Sequence, residues 1–282
     1  MVIPIYVVDA FTDSPFKGNQ AGICFLDKSY GSIDESILQK IAFEMNLSET
    51  AFVSPINTKE SFSDAEDFNL RWFTPTTEID LCGHATLATA HVLFHELANS
   101  NKELKFHTMS GVLSVSKDED FLKMDFPANP SESISSIDFI STSLGLQKEE
   151  IISWEYDPKL ANVLVEVKNS DILQRIEPDF AKLKKYTGKL RIVGLIITAK
   201  MSETDFDFAS RYFAPWVGIN EDPVTGSSHT TLGPYWSAKL GKTELQTIQL
   251  SKRTGKLKLI VTNSRVYIKG KSCTILSGKF NF

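Results

Sequence analysis

The chain has 282 residues, 42% hydrophobic and 23% charged, which is the make-up of a globular protein long enough for roughly two domains rather than of a disordered or fibrous one. Its formal charge of −5 argues against a nucleic-acid or anionic-membrane partner, because phosphate binding calls for concentrated Lys and Arg. No apolar run reaches membrane-spanning length, and the scattered Cys24, Cys82 and Cys273 have no metal-type spacing, so neither a disulfide framework nor a zinc site is expected.

The opening MVIPIYVVDAF lacks a basic lead-in and is interrupted by Asp9, so it reads as a first strand rather than a secretory leader, and cytoplasmic residence is expected. Ser32, Ile33, Asp34 and Glu35 form a capping-box pattern ahead of Ile37, Leu38, Ile41 and Met45 at helical spacing. In LSETAFVSP, Glu49 stands at the entrance to an apolar strand. FNLRWF alternates as a strand does and ends at Pro75; TEIDLCGH then feeds a helix from about Gly83 to Ala98, apolar almost all round and therefore buried. FPANP, Phe126 to Pro130, separates two halves, 1–126 and 130–282, with the last strand free to pair back with the first half. Lys182, Lys184, Lys185, Lys189 and Arg191 flank Gly188 and read as a solvated helix end. LRIVGLIIT and KLKLIVTNSRVYIKG read as strands, and SHTTLGPYWSAKLG is a second helix with Gly241 as its C-cap.

Three landmarks recur in the same order. DFNLRWFTP matches DFASRYFAP, CGHATLA matches SSHTTLG, and SGVLSV matches TGKLKL. Arg71 to Arg211, Cys82 to Ser227 and Gly111 to Gly255 are separations of 140, 145 and 144 residues, so the second half carries about five extra residues between its Arg and its Ser. An internal duplication of one α/β unit follows.

Two sister halves can bring their loop-helix junctions to one cleft. CGHAT and SSHTT each enter a buried helix through small residues, exposing unpaired N–H groups and the positive end of the dipole, which suits a substrate carboxylate or a developing enolate. Gly83, Gly226, Ser227 and Ser228 are the contact candidates, with an ordinary N-cap as the alternative. The halves differ where an asymmetric reaction needs it. Glu49 has only the apolar Val193 and Gly194 opposite it in the second half, while Glu221 and Asp222 occur in the second half alone. Burial beside an apolar strand is expected to raise the Glu49 pKa toward neutrality; a strand-edge or capping carboxylate is the alternative. His84, His91 and His95 share one helical face, and His91 with His95 at i, i+4 could share a metal, but no third ligand is singled out and core histidines are the competing explanation.

DAFTDSPFKGNQAGIC, NLSETAFV, LRWFTPTTEIDLCGHATLA, FHTMSGVLSV and EDPVTGSSHTTLGPYW together resemble the phenazine-biosynthesis F (PhzF) isomerase family, whose fold is similar to that of diaminopimelate epimerase. The resemblance implies an α+β protein of two pseudo-symmetric half-domains, each a curved sheet or barrel around a central helix, with the active site between them and commonly a homodimer. It places the catalytic groups on Glu49, His84, Asp222 and Ser227, with Asn19, Gly83, Gly226 and Ser228 as substrate contacts, and implies a small carboxylate substrate, no cofactor and no metal. In the family's best-known role a dihydro-hydroxyanthranilate is isomerised on the route to phenazines. Gln20 stands where the family usually has Pro, which is expected to alter a loop. Diaminopimelate epimerase has a cysteine at both repeated loops; here Cys82 stands opposite Ser227, so two-thiol racemisation is disfavoured. An amino-acid racemase or epimerase using Cys82 and a non-catalytic binding protein that keeps the fold are the alternatives.

Overall fold

The computed structural model describes residues 2–27, 33–202 and 204–282. The chain forms two compact units, one of Met1–Asp125 with Lys269–Phe282 and the other of Phe126–Ile268. The duplication alone would run the second half to the C-terminus. Instead the last strand, Ser272–Asn281, pairs antiparallel along the whole of Val2–Ala10, so the first unit holds both chain ends.

Within the first unit the sheet runs from Val2–Ala10 to Asn19–Phe25 (antiparallel), Glu49–Pro55 (parallel), Asp67–Phe73 (antiparallel), Glu103–Thr108 (parallel) and Gly111–Asp118 (antiparallel). The second unit repeats this strand for strand: Ile151–Asp157, Asn162–Val167, Gly194–Lys200, Phe208–Ala214, Glu244–Gln249 and Gly255–Val261, with the same alternation of pairing sense. Strand-for-strand identity of a six-strand order confirms the duplication read from three short motifs.

Each sheet curls around one helix. In the first unit, Gly83–His91 touches strands from both ends of the sheet, Ser272–Asn281 and Gly111–Asp118. All of its residues from His84 to Ala90 are buried, which explains the apolar sequence. Its two buried threonines donate to carbonyls one turn back, Thr86 Oγ1 to Cys82 O at 2.6 Å and Thr89 Oγ1 to Ala85 O at 2.7 Å, so neither hydroxyl of this helix is stranded. The predicted helix to Ala98 changes winding partway: Val92–Glu96 is a π-turn, and Ala98 leaves it with φ 50°.

In the second unit, His229–Leu240 reaches one end of its sheet through Thr231 Oγ1 to Asp157 Oδ2 (2.7 Å) and packs on Gly255–Val261 at the other. It ends at Gly241 in the left-handed conformation, φ 66°. Pro234 lies inside this helix and has no N–H for the carbonyl of Thr230. Asn129, from the Pro-rich segment after the first unit, supplies both groups Thr230 needs: its N–H donates to Thr230 O at 3.0 Å and its amide to Thr230 Oγ1 at 2.8 Å.

The helix Glu35–Met45 covers the outer face of the first sheet, where Leu38 and Ile41 pack with Phe52 and Phe73. Its cap is Asp34, whose carboxylate accepts from Ser36 N, in place of the expected capping box; Ser32 lies outside the described residues. The basic cluster falls around the short helix Phe180–Leu183, capped by Asp179. No helix among the described residues is long and apolar enough to cross a membrane.

Candidate active site

Along Glu49–Pro55 side chains alternate, and Phe52 faces the outer helix, so Glu49, Ala51 and Val53 face the central helix. His84, in the first turn of that helix, meets Glu49 there: Nε2 lies 3.0 Å from Glu49 Oε2. The contact is close but poorly aligned for a hydrogen bond, which leaves the buried Oε2 without a well-directed donor. Cys82, the helix N-cap, puts Sγ 3.5 Å from His84 Nδ1 and 4.0 Å from Nε2. Asn19 completes the group, its Nδ2 3.3 Å from His84 Nδ1. Glu49, Cys82 and His84 are each only 6% exposed.

Asn19 is delivered by a turn that only glycine allows. Gly18 has φ +66°, and a Cβ there would lie 2.1 Å from Ala10 O. Asn19 therefore lies directly against His84, and accepts from Nδ1–H of the charged ring when its amide is turned to present Oδ1. Gln20, expected in a loop, lies within the strand Asn19–Phe25 opposite Asp9, and its carbonyl accepts from Ser48 Oγ at 3.2 Å. Ser48 was not a sequence candidate; its place immediately before the buried carboxylate was the available signal.

The electrostatics reverse one expectation. Burial pushes the Glu49 carboxyl up, as the sequence suggested, but the charge of His84 and the close approach of His84 and Ser48 outweigh it, and the net position is below the usual carboxylate range. Burial likewise pushes His84 down, while the Cys82 sulfur and the Glu49 carboxylate push it up, to well above an ordinary histidine. Because burial raises the Cys82 thiol, that sulfur is uncharged near neutrality, and the charge that holds His84 protonated is that of Glu49. The resting state is thus an ion pair. Its stabilising contribution from Glu49 is present above about pH 4.3 and is lost as pH falls through the depressed folded value; that from His84 is full below about pH 6.5 and is lost as pH rises through the raised folded value.

The second unit has the same framework and a different content. His229, the twin of His84, gives Nδ1–H to Thr225 O at 2.8 Å, and burial lowers it to about 4, so it is a neutral core histidine. Gly194 stands where the first unit has Glu49, and a Cβ there would lie 2.2 Å from Tyr212 Oη, which donates to Asn162 Oδ1 at 3.1 Å. The tyrosine hydroxyl fills the space of the missing carboxylate. Glu221 is not peculiar to this half: it pairs with Arg211 at 2.7 Å as Glu78 pairs with Arg71 at 2.6 Å. Asp222 accepts from Thr225 Oγ1 in the loop that leads to the helix. Ser227 and Gly226 lie in its entry turn, and the Ser228 hydroxyl is given to Thr225 O at 2.8 Å.

The histidine pair of the rival metal reading, His91 and His95, has ring centroids 4.8 Å apart, and burial together with the His95 charge lowers His91 to about 4. Among the described residues the group able to hold a metal ion is Glu49, Cys82 and His84 instead.

The family model for phenazine biosynthesis-like proteins matches residues 8–278. The chain belongs to the PhzF family. PhzF relatives include an uncharacterized isomerase of Pseudomonas aeruginosa, 46% identical over 99% of this chain and 98% of that protein, and a human phenazine biosynthesis-like domain-containing protein, 42% identical over 99% of each. A crystal structure of a PhzF-family protein from Enterococcus faecalis superposes with a TM-score of 0.90 at 39% identity and covers all of both chains. The two-half architecture with a helix inside each curved sheet is the PhzF one, and bacterial relatives carry the name uncharacterized isomerase.

Proposed function

We propose that the protein is a PhzF-type isomerase in which Glu49 moves one proton between two carbons of a small cyclic or amino-acid-like carboxylate. The ionised Glu49 takes a proton from a carbon activated by conjugation, and the released electron pair passes into the conjugated system. The resulting carboxylic acid then returns the proton to another carbon on the same face, which restores Glu49 with no net oxidation and no co-reactant. His84 keeps the carboxylate charged at rest and stabilises charge developing beside it. The family resemblance further implies substrate-binding roles for Gly83, Asp222, Ser227 and the backbone of Gly226. The observation that carries this reading is the buried Glu49–His84 pair, whose Oε2 lacks a directed donor.

The racemase alternative needs a thiolate, and burial raises the Cys82 thiol away from that state. Isotope tracing separates the two. A dihydro-hydroxyanthranilate deuterated at the carbon that loses its proton, turned over in ordinary water, should pass part of its label to the product carbon, because one base takes and returns the same proton. Product formed at full rate with no retained label would contradict a single-base shuttle.

A further inference from the structure

We propose that Glu49, Cys82 and His84 form a binding site for a borderline-soft divalent cation of the zinc type, and that the ion, when bound, occupies the base of the proposed proton transfer. The inference of inhibition rests on that functional reading; the inference of binding does not.

The donor set is one oxygen, one sulfur and one nitrogen, a mixture suited to zinc and cobalt rather than to magnesium or calcium, which take oxygen. One atom from each residue lies within 4.8 Å of the other two. A tetrahedral ion with bonds of about 2.0 Å to N and O and about 2.3 Å to S sets its N···O edge near roughly 3.3 Å and its N···S edge near roughly 3.6 Å. The observed His84 Nε2 to Glu49 Oε2 and His84 Nε2 to Cys82 Sγ distances are 3.0 and 4.0 Å and the carboxylate oxygen and Sγ lie within 4.8 Å, so seating the ion requires the N···O edge to open slightly and the sulfur to move in toward the other two ligands. Side chains this far from water can be held on an ion by their surroundings. Asn19 at His84 Nδ1 is the outer partner that a nitrogen-ligating imidazole uses: with its amide turned, Oδ1 accepts from Nδ1–H while Nε2 binds. Glu49 Oε2, buried and without a directed donor, is the atom a cation would satisfy.

Three protein ligands leave a fourth position, for water or a substrate carboxylate, unlike the closed four-residue shell of structural zinc. Binding releases two protons to solvent, one from the Cys82 thiol and one from His84 Nε2, leaving thiolate, neutral imidazole and carboxylate around the ion. The carboxylate lone pair that the isomerisation uses is then engaged with the metal. Sequence spacing did not suggest this site because Glu49 is contributed by a strand more than thirty residues before the Cys-x-His of the helix entry.

The test uses the full chain, chelator-treated and without substrate, titrated with Co2+ alone and then with Zn2+ as competitor. The expected result is one Co2+ per chain with a sulfur-to-cobalt charge-transfer band that Zn2+ abolishes. Cys82→Ser should remove the band and Cys273→Ser should keep it. Glu49→Gln, which retains the side chain's size and serves should Cys82→Ser fail to fold, should weaken binding at least about tenfold. Absence of saturable binding, a band that survives Cys82→Ser, or undiminished affinity in Glu49→Gln would overturn the site. Because all of these are read without turnover, a failure here leaves the proton-transfer proposal standing, and loss of that proposal would leave the metal site standing. Zn2+ slowing the wild-type isomerisation is the separate readout for inhibition.

Discussion

Glu49→Gln should lower the isomerisation rate by about 10²–10⁴-fold while the substrate still binds, since that is the range a positioned general acid–base supplies. The amide keeps the shape of the carboxylate and removes both its charge and its capacity to take a proton. The neighbouring groups do not replace it. Cys82 is a raised thiol, and His84, once the Glu49 charge is gone, loses a cause of its high proton affinity and is left with the burial that lowers it. The check is kcat and KM on the carboxylate substrate of the proposed isomerisation together with direct binding of the same compound. Loss confined to kcat fits a group that acts in the transition state. A variant that turns over at the wild-type rate would remove Glu49 from the chemistry.

Gly194→Ala should destabilise the folded protein by about 1–3 kcal/mol, the usual cost of forcing extra volume into a packed interior. The new Cβ would stand 2.2 Å from Tyr212 Oη, 2.4 Å from Tyr212 Cζ and 2.8 Å from Asn162 Oδ1, and none of the three is the loose end of a flexible chain. Tyr212 is buried between strands and its hydroxyl is committed to Asn162. Denaturant unfolding of Gly194→Ala, Tyr212→Ala and the double variant tests this. The double variant should cost less than the sum of the singles, because removing the ring makes room for the methyl. Full additivity, or a neutral Gly194→Ala, would contradict the clash. The functional consequence is that the second unit cannot carry a twin of Glu49: the duplicated framework survives, but one of its two potential bases has been replaced by a packed tyrosine.

Sequence order showed the duplication because its landmarks are local: a strand with a fixed Arg and Phe, a histidine one residue into a helix, and a glycine turn. The helix ends at Gly241 and the strand at Glu49 were legible for the same reason, as end and period signals act over a few residues. What could not be read depends on contacts across long stretches of chain. That the last strand could return to the first half was expected, but its register along the whole of Val2–Ala10 joins the two ends of the sequence and had no local signal. Glu221 looked unique because the unequal spacing before the helix hid its match with Glu78, which appears once both are seen on the same Arg. Asn129 could not be tied to Thr230 without knowing that Pro234 leaves a carbonyl free. The sign of the Glu49 shift was misjudged because burial was visible in the apolar strand, whereas the imidazolium that overrides it comes from a helix in another part of the chain. Candidate residues in the first unit were legible as residue types, and the arrangement that makes them an ion pair was not.

The most direct test of the central claim is the protonation state of His84, followed by ring-nitrogen NMR in the wild type and in Glu49→Gln. An imidazolium persisting through pH 7 in the wild type, and a neutral ring at pH 7 in the variant, is the predicted outcome. A wild-type His84 that is already neutral at pH 7 would show that no ion pair holds the carboxylate charged, and the account of Glu49 as a resting base would fail.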